Sequence, residues 1–424
     1  MFDPGVQNMA NVLCSECIAD THLKAIVQSE GQENHCDVCN KDRPSTITVD
    51  RLGQLIAAVI KKYFEQGMRR FRHFTFGEYD YLDPEAKYLK DVIQQVLGGQ
   101  RFDFHDQLVD AVISSEHHDS KMDNLPFSDW RAKYVEKRLI PFGWHNRWES
   151  VKSELQTSRR FFNSDAEQLF HDLFHDVESL CCKNLADNDH GVVTNIPQEF
   201  EIYRCRICRD NPDSIFQNPS REVGPPPPHK ARAGRMNAEG IVILYGSTDK
   251  ETCLAELRPA LGGETAVITL QTTKELRVLD FTRISSAYIG HSYFQRDFKD
   301  QRERVSFLQE LGFLISQPVA PGYEADYFIT QVMIEYLSHV HEKPFDGVLY
   351  DSVQCEGGKN IALFAQLQEE APAFPIAYIE GSLTIQKTTS IKYEHEKVRY
   401  DFDGKKAHRL TNFADSLAKF AIEL

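Results

Sequence analysis

The chain has 424 residues, long enough for two or three domains rather than one. Its composition, 41% hydrophobic and 26% charged, is that of a soluble globular protein with material for a sizeable core. A net charge of −15 excludes a general nucleic-acid binder, which needs clustered Lys and Arg to neutralise phosphates, and no apolar run approaches the ~20 residues needed to cross a bilayer.

The first residues, MFDPGVQNMANVLCSEC, lack the basic-then-apolar pattern of a signal peptide, so a cytoplasmic location is expected. Ten cysteines, several in pairs, suit metal ligation or reduced thiols better than a disulfide framework. Cys14, Cys17, Cys36 and Cys39 stand as C-x2-C-x18-C-x2-C, a spacing that presents four thiolates to one tetrahedral zinc ion. Four thiolates leave no open coordination position, so the zinc is expected to be structural and to let a polar segment, 1–45, fold with little core. His22 and His35 lie nearby as substitute ligands, but four cysteines need none.

Residues 46–190 read as a helical domain. Leu52, Leu55, Ile56, Val59, Ile60 and Tyr63 recur at helical spacing, as do Leu169, Phe170, Leu173, Phe174, Val177 and Leu180. The locally basic run from Lys61 to His73 reads as the solvated face of a helix. The aromatic segments PFGWHNRW and SRRFF are expected in the core and at helix contacts. His171 and His175 stand four apart, yet the apolar stripe leaves both at its edge, and packing is the better reading than metal binding. Residues 186–197 carry turn-forming types and mark a boundary.

From about 198 to 424 the pattern becomes mixed α/β, which makes the overall class α+β. Short apolar runs at 240–245, 265–270, 276–279, 347–350 and 361–364 are expected strands. The Pro-rich 224–230 is expected as an extended loop. A second CxxC, Cys205 to Cys208, has no partner pair and reads as inert packing. The tail is expected to form a strand pair around 383–393 and 398–402, followed by an amphipathic helix.

The block RAGRMNAEGIVILYGSTDKETCLAELRP, 232–259, reads as loop, strand, turn and helix. Arg235 falls in the loop, Tyr245 at the strand end, and Thr248 to Glu251 has capping-box spacing. Glu256 falls two turns into the helix, near the face turned to the sheet, where a carboxylate is unusual unless paired or functional. Taken singly each residue has a bland structural reading; together on one strand–helix unit they form a candidate site.

These residues resemble the RES domain, a bacterial family named for its Arg, Glu and Ser residues. The matching positions are Arg235 in GRMN, Tyr245 in ILYGS, Glu256 in LAEL and Ser352 in FDGVLYDS, with YRCR (Arg204, Arg206), YFITQ (Thr330, Gln331) and NIALF (Asn360) supporting them over about 200–370. The N-terminal half is similar to a zinc-bearing, HEPN-derived domain found ahead of RES domains.

The resemblance implies a fold like that of ADP-ribosyltransferases and an NAD+-consuming toxin or defence effector, with NAD+ as substrate and an inhibitory antitoxin as partner. It implies catalytic roles for Arg235, Tyr245, Glu256 and Ser352, and substrate contacts for Asn237, Asn360 and either Arg204 or Arg206. On this view Glu256 stabilises the charged ribose, Tyr245 meets the nicotinamide, Arg235 grips the pyrophosphate, and Ser352 orients an amide or hydroxyl. The ADP-ribose acceptor (water, phosphate or a protein side chain) and any oligomeric assembly stay open. Two rivals stand beside this. A HEPN ribonuclease would need Arg138 and His145 on one helix, which Pro141 and Gly143 disfavour; a non-catalytic nucleotide-binding module would keep the fold without turnover.

Overall fold

Leu52, Ile56, Ile60 and Tyr63 are spaced to fall on one stripe of a helix, and in the computed structural model they are buried along the inner side of helix Val49–Tyr63. The structure describes residues 11–67, 70–73, 78–81, 86–115, 132–137, 139–182, 190–208, 212–288, 292–316, 327–366, 372–391, 399–402 and 407–410. The chain divides into two compact units, Met1–Ile140 with Gly290–Arg302, and Pro141–Ile289 with Glu303–Leu424.

In the first unit, strands β1 (Val12–Cys14), β2 (Gln32–Cys36) and β3 (Lys41–Thr48) form an antiparallel sheet of order β1-β3-β2. Helix α1 (Thr21–Glu30) starts at Asp20, whose carboxylate accepts from the His22 and Leu23 amides at 3.0 and 2.8 Å. Helices α2 (Val49–Tyr63), α3 (Leu89–Val96) and α4 (His105–Ser114) pack their apolar stripes together, with Val92, Ile93, Leu108 and Val112 fully buried. Gly53 permits the close approach of α2 to α4, since a Cβ there would lie 2.7 Å from that of Ala111. The returning segment 292–302 joins this core through Tyr293, whose ring lies 4.7 Å from Phe298 and whose hydroxyl accepts from Gln95 at 2.7 Å. The basic run does not continue the helix: α2 ends at Tyr63, and the chain turns into strands Phe64–Gln66 and Arg70–His73.

In the second unit, helices α5 (Phe142–Thr157) and α6 (Ser164–Phe174) precede the sheet. The sequence pattern grouped them with the N-terminal helices. Their buried residues Trp148, Leu155, Leu169, Phe170 and Phe174 instead share one core with Phe281, Leu308, Met333 and Val348. Phe161 and Phe162, expected in a core, lie exposed in the connection between the two helices, 79% and 103% accessible, while the preceding Arg160 packs over the Phe328 ring. Helix α5 begins just after Pro141, and Arg138 lies outside the described residues.

The sheet has nine strands among the described residues: β4 (Val193–Ile196), β5 (Glu201–Ile207), β6 (Ile243–Ser247), β7 (Glu264–Thr272), β8 (Leu276–Asp280), β9 (Gly347–Asp351), β10 (Lys359–Phe364), β11 (Ile376–Tyr378) and β12 (Thr384–Lys387). Their order is β4-β8-β9-β10-β6-β5-β7-β11, with β12 also on β7; only β8 and β9 run parallel. Between them fall helix α7 (Lys250–Leu257), then α8 (Phe298–Ser316, from Glu303 onward in this unit) and α9 (Tyr327–Glu335). Side chains alternate across the strands. Ile243, Leu279, Val348 and Ala362 face α5, α6, α8 and α9, while Ile202, Leu244, Val278, Leu349 and Ile361 form a second core on the opposite face.

Several local expectations shift. The expected loop 186–197 contains β4, which finds a ladder partner in β8. The strand containing Tyr245 starts at Ile243 rather than 240, because Gly240 sits at φ +84° in a turn. Thr384–Lys387 pairs with Glu264–Val267 and not with 399–402, which instead pairs with Ala407–Leu410. The expected C-terminal helix lies outside the described residues.

Candidate functional site

The site begins with the cap of α7. Its N-cap is Asp249, not Thr248: the aspartate accepts from the Thr252 amide and hydroxyl, both at 2.7 Å. A charged acceptor caps more strongly than a hydroxyl, and Thr248 is used elsewhere, donating to the Lys359 carbonyl at 3.3 Å. The Thr252 hydroxyl then sits over Gly358, where a Cβ would come within 2.2 Å of it. This contact sets the seat of α7 against the chain leading into β10.

Two turns in, Glu256 projects back to the sheet. Its Oε1 accepts from Ser352 Oγ at 2.6 Å and from Asn360 Nδ2 at 2.7 Å. Asn360 is buried, and its Oδ1 accepts from Ser247 Oγ at 2.8 Å. Ser352 also accepts from the Gln354 and Cys355 amides at 3.1 Å, which folds the turn 352–358. The carboxylate itself is exposed. It is therefore held in one orientation while its second oxygen, Oε2, has no hydrogen-bond partner among the described residues.

A second group surrounds Tyr245. Its hydroxyl donates to Asn237 Oδ1 at 2.8 Å and accepts from the Met236 amide at 3.3 Å. Asn237 is buried, and its amide donates to the Arg232 and Ile241 carbonyls, both at 2.9 Å. With its oxygen accepting from Tyr245 and its N–H groups on backbone carbonyls, Asn237 clamps its own loop. Thr330 and Gln331 of α9 grip the same loop, through the Arg235 carbonyl at 2.6 Å and the Gly234 and Asn237 carbonyls at 2.8 and 2.9 Å. Arg235 itself donates one N–H to the Ile315 carbonyl at the end of α8, which leaves most of its five donors without a partner among the described residues. Burial pushes the Tyr245 phenol up to about 12, with Arg235 opposing.

Strand register connects the two groups. Tyr245 pairs with Ala362, Ser247 with Asn360, and Asn360 with Tyr350. Tyr245, Ser247, Asn360 and Tyr350 therefore share one sheet face, the face on which Glu256 is anchored. Tyr350 was not singled out in the sequence, although its place two residues before Ser352 in an expected strand carried the signal.

Arg204 and Arg206 are not part of this face. Tyr203 pairs with Ser247, so the alternating Arg204 and Arg206 point the other way, with Ile202. Arg204 is half-buried; Nε donates to the Val223 carbonyl at 2.7 Å and Nη1 to the Tyr245 carbonyl. Burial lowers its guanidinium from the ordinary value. Arg206 is exposed and bound to Glu222. Cys205 donates to the Cys253 carbonyl at 2.9 Å, while Cys208 packs against the opposite core, so this CxxC does not gather its two thiols.

The four N-terminal cysteines do gather. Cys14 Sγ lies 3.5 Å from Cys17 Sγ and 3.8 Å from Cys39 Sγ, Cys36 Sγ lies 3.9 Å from Cys17 Sγ, and all four fall within 4.8 Å of one another. Four sulfurs at zinc–thiolate distance stand about 3.8 Å apart, so the set fits one tetrahedral ion. The Cys14 amide donates to Cys36 Sγ at 3.2 Å, and Arg43 beside Cys39 pulls that thiol down to about 6. His35 is taken by Asp42 and Asn40, both at 2.9 Å, and takes no part. Among the described residues no other group of three or more His, Cys, Asp or Glu side chains could hold an ion, so His171 and His175, rings 5.4 Å apart, remain a pair. His145 lies 2.6 Å from Glu310.

No helix among the described residues is long and apolar enough to cross a membrane. Residues 201–386 match the family model for the RES domain. No curated protein and no solved structure matches the chain.

Proposed function

The chain carries a RES domain over residues 201–386, and from that premise we propose that the protein is an NAD+-consuming enzyme that breaks the nicotinamide–ribose bond. The observation that carries the reading is Glu256, an exposed carboxylate fixed through one oxygen by Ser352 and Asn360 with the other oxygen open. In the cleavage, the electron pair of the C–N bond moves to the pyridinium nitrogen and neutralises it. The ribose is left with oxocarbenium-like positive charge. A carboxylate already oriented stabilises that charge without reorganising.

Tyr245 meets the cationic ring, where an aromatic face favours positive charge, and the donors of Arg235 not used on Ile315 engage the pyrophosphate. Ser352 and Asn360 act through Glu256 rather than on the substrate: its Oε1 holds the Ser352 hydroxyl and one N–H of the buried Asn360. Arg204 acts from the far face, holding the Tyr245 backbone. Zinc in the Cys14, Cys17, Cys36 and Cys39 set supplies folding energy to the first unit and no chemistry.

In a cell such an activity drains NAD+ and makes the protein growth-inhibitory, with an inhibitory partner as its natural control. The test is to incubate the purified chain with NAD+ and measure nicotinamide. Glu256→Gln is expected to cut turnover about 100-fold or more; unchanged turnover defeats the assignment. The second product names the acceptor: free ADP-ribose for water, its 1-phosphate for phosphate, or a protein adduct for transfer to a side chain.

A further inference from the structure

Within that reading, on which this inference rests, we propose that Tyr350 is a further substrate-contacting residue whose hydroxyl donates to the nicotinamide carboxamide. Tyr350 stands on β9 directly across from Asn360, the residue that holds Glu256, and diagonally across β10 from Tyr245, with the side chains of Ala362 and Asn360 on the strand between. The two strands flanking β10 lie about 9.6 Å apart, so the two tyrosines bracket the middle of the proposed site.

The accounting of protons on this face singles it out. The Tyr245 hydroxyl donates to Asn237, Ser352 to Glu256, Ser247 to Asn360, and Thr252 to Asp249. The Asn237 amide is spent on the Arg232 and Ile241 carbonyls, and one N–H of the buried Asn360 is held by Glu256. Among the described residues the Tyr350 hydroxyl has no hydrogen-bond partner, and its ring is half-buried against the core. Burial, with Tyr245 and Glu256 nearby, holds the phenol well above its ordinary value while Arg235 opposes, so it stays a donor throughout the neutral range. A carboxamide oxygen entering between Tyr245 and Glu256 needs such a donor, and an uncompensated one would cost the bound substrate a hydrogen bond.

Tyr350→Phe removes the hydroxyl and keeps the ring. The measurement is kcat/KM for release of the base from NAD+ and from the analogue whose carboxamide is replaced by hydrogen, with melting temperature alongside. Tyr350→Phe is expected to lower kcat/KM for NAD+ about 10-fold, to leave the analogue unchanged, and to melt with the wild type. An equal loss on both substrates, or no loss on NAD+, overturns the carboxamide contact. Wild-type protein that releases no nicotinamide overturns the proposed function instead, and this inference with it. If Tyr350→Phe melts early, Tyr350→Trp and the substrate ratio of whatever folded protein remains decide the matter, since a merely structural role lowers both rates together.

Discussion

Ser352 Oγ donates to Glu256 Oε1 at 2.6 Å, joining a residue past the end of β9 to one on α7 that is 96 positions earlier in the chain. The bond makes Ser352 a positioning residue. Ser352→Ala should lower kcat for nicotinamide release about 10-fold with little change in KM, and Asn360→Ala should do the same. Because both act on one oxygen, the double variant should lose less than the product of the two. Independent, multiplicative losses would show that one of them touches substrate directly.

Gly358 is a second control on the same carboxylate. A Cβ at 2.2 Å from Thr252 Oγ1 forces α7 away from the sheet, so Gly358→Ala should cost about 1–3 kcal/mol of stability. Combining it with Thr252→Ala should recover part of the loss in denaturant titration. No recovery would place the strain elsewhere.

Asn237→Ala leaves the Tyr245 hydroxyl without its acceptor and frees the Arg232 and Ile241 carbonyls. A cost of about 1–3 kcal/mol is expected from these unpaired groups. Turnover should fall as well, because the loop that carries Arg235 loses its clamp. Full stability with full turnover would remove the clamp from the account.

Tyr245 gives a pH dependence with a definite sign. Its phenol titrates near 10 when unfolded and is pushed up to about 12 in the fold by burial. Between those values the unfolded chain has released a proton that the native chain still holds, so stability falls as pH rises through that window and is complete below it. Tyr245→Phe should flatten the alkaline part of the melting curve; an unaltered slope assigns the effect to other tyrosines.

The cysteine set predicts one zinc per chain by elemental analysis. Cys14→Ser or Cys36→Ser should lower metal content and unfold the first unit's small sheet, because zinc binding and folding are one event in such segments. Retention of full metal in either variant removes that residue from the ligand set.

Much of this was legible from the amino-acid order alone. The stripes on α2 and α6, the apolar runs that became β7, β8, β9 and β10, and the thiol spacing around Cys14 and Cys36 are local patterns. Their physical causes, helical or strand periodicity and the reach of a CxxC turn, act over a few residues. The fold class and the zinc-site candidates follow from them, as does the placing of Arg235, Tyr245 and Glu256 on one loop–strand–helix unit; Ser352 and Asn360 joined these through the resemblance to the RES domain.

What required the tertiary structure was the destination of each proton and each face. Periodicity could not tell that Asp249 would cap α7, since Thr248 finds its partner on Lys359 only after β10 is in place. Nor could it separate Arg204 from Glu256, which a single cross-strand pair, Tyr203 with Ser247, puts on opposite sides of one sheet. Helices α5 and α6 carry a stripe that any apolar surface would bury, and only the long-range packing with Phe281 and Leu308 decided which unit received it. Hydrophobic burial is non-directional and reads from composition, whereas hydrogen bonds between residues about a hundred positions apart depend on strand register, which no local pattern specifies.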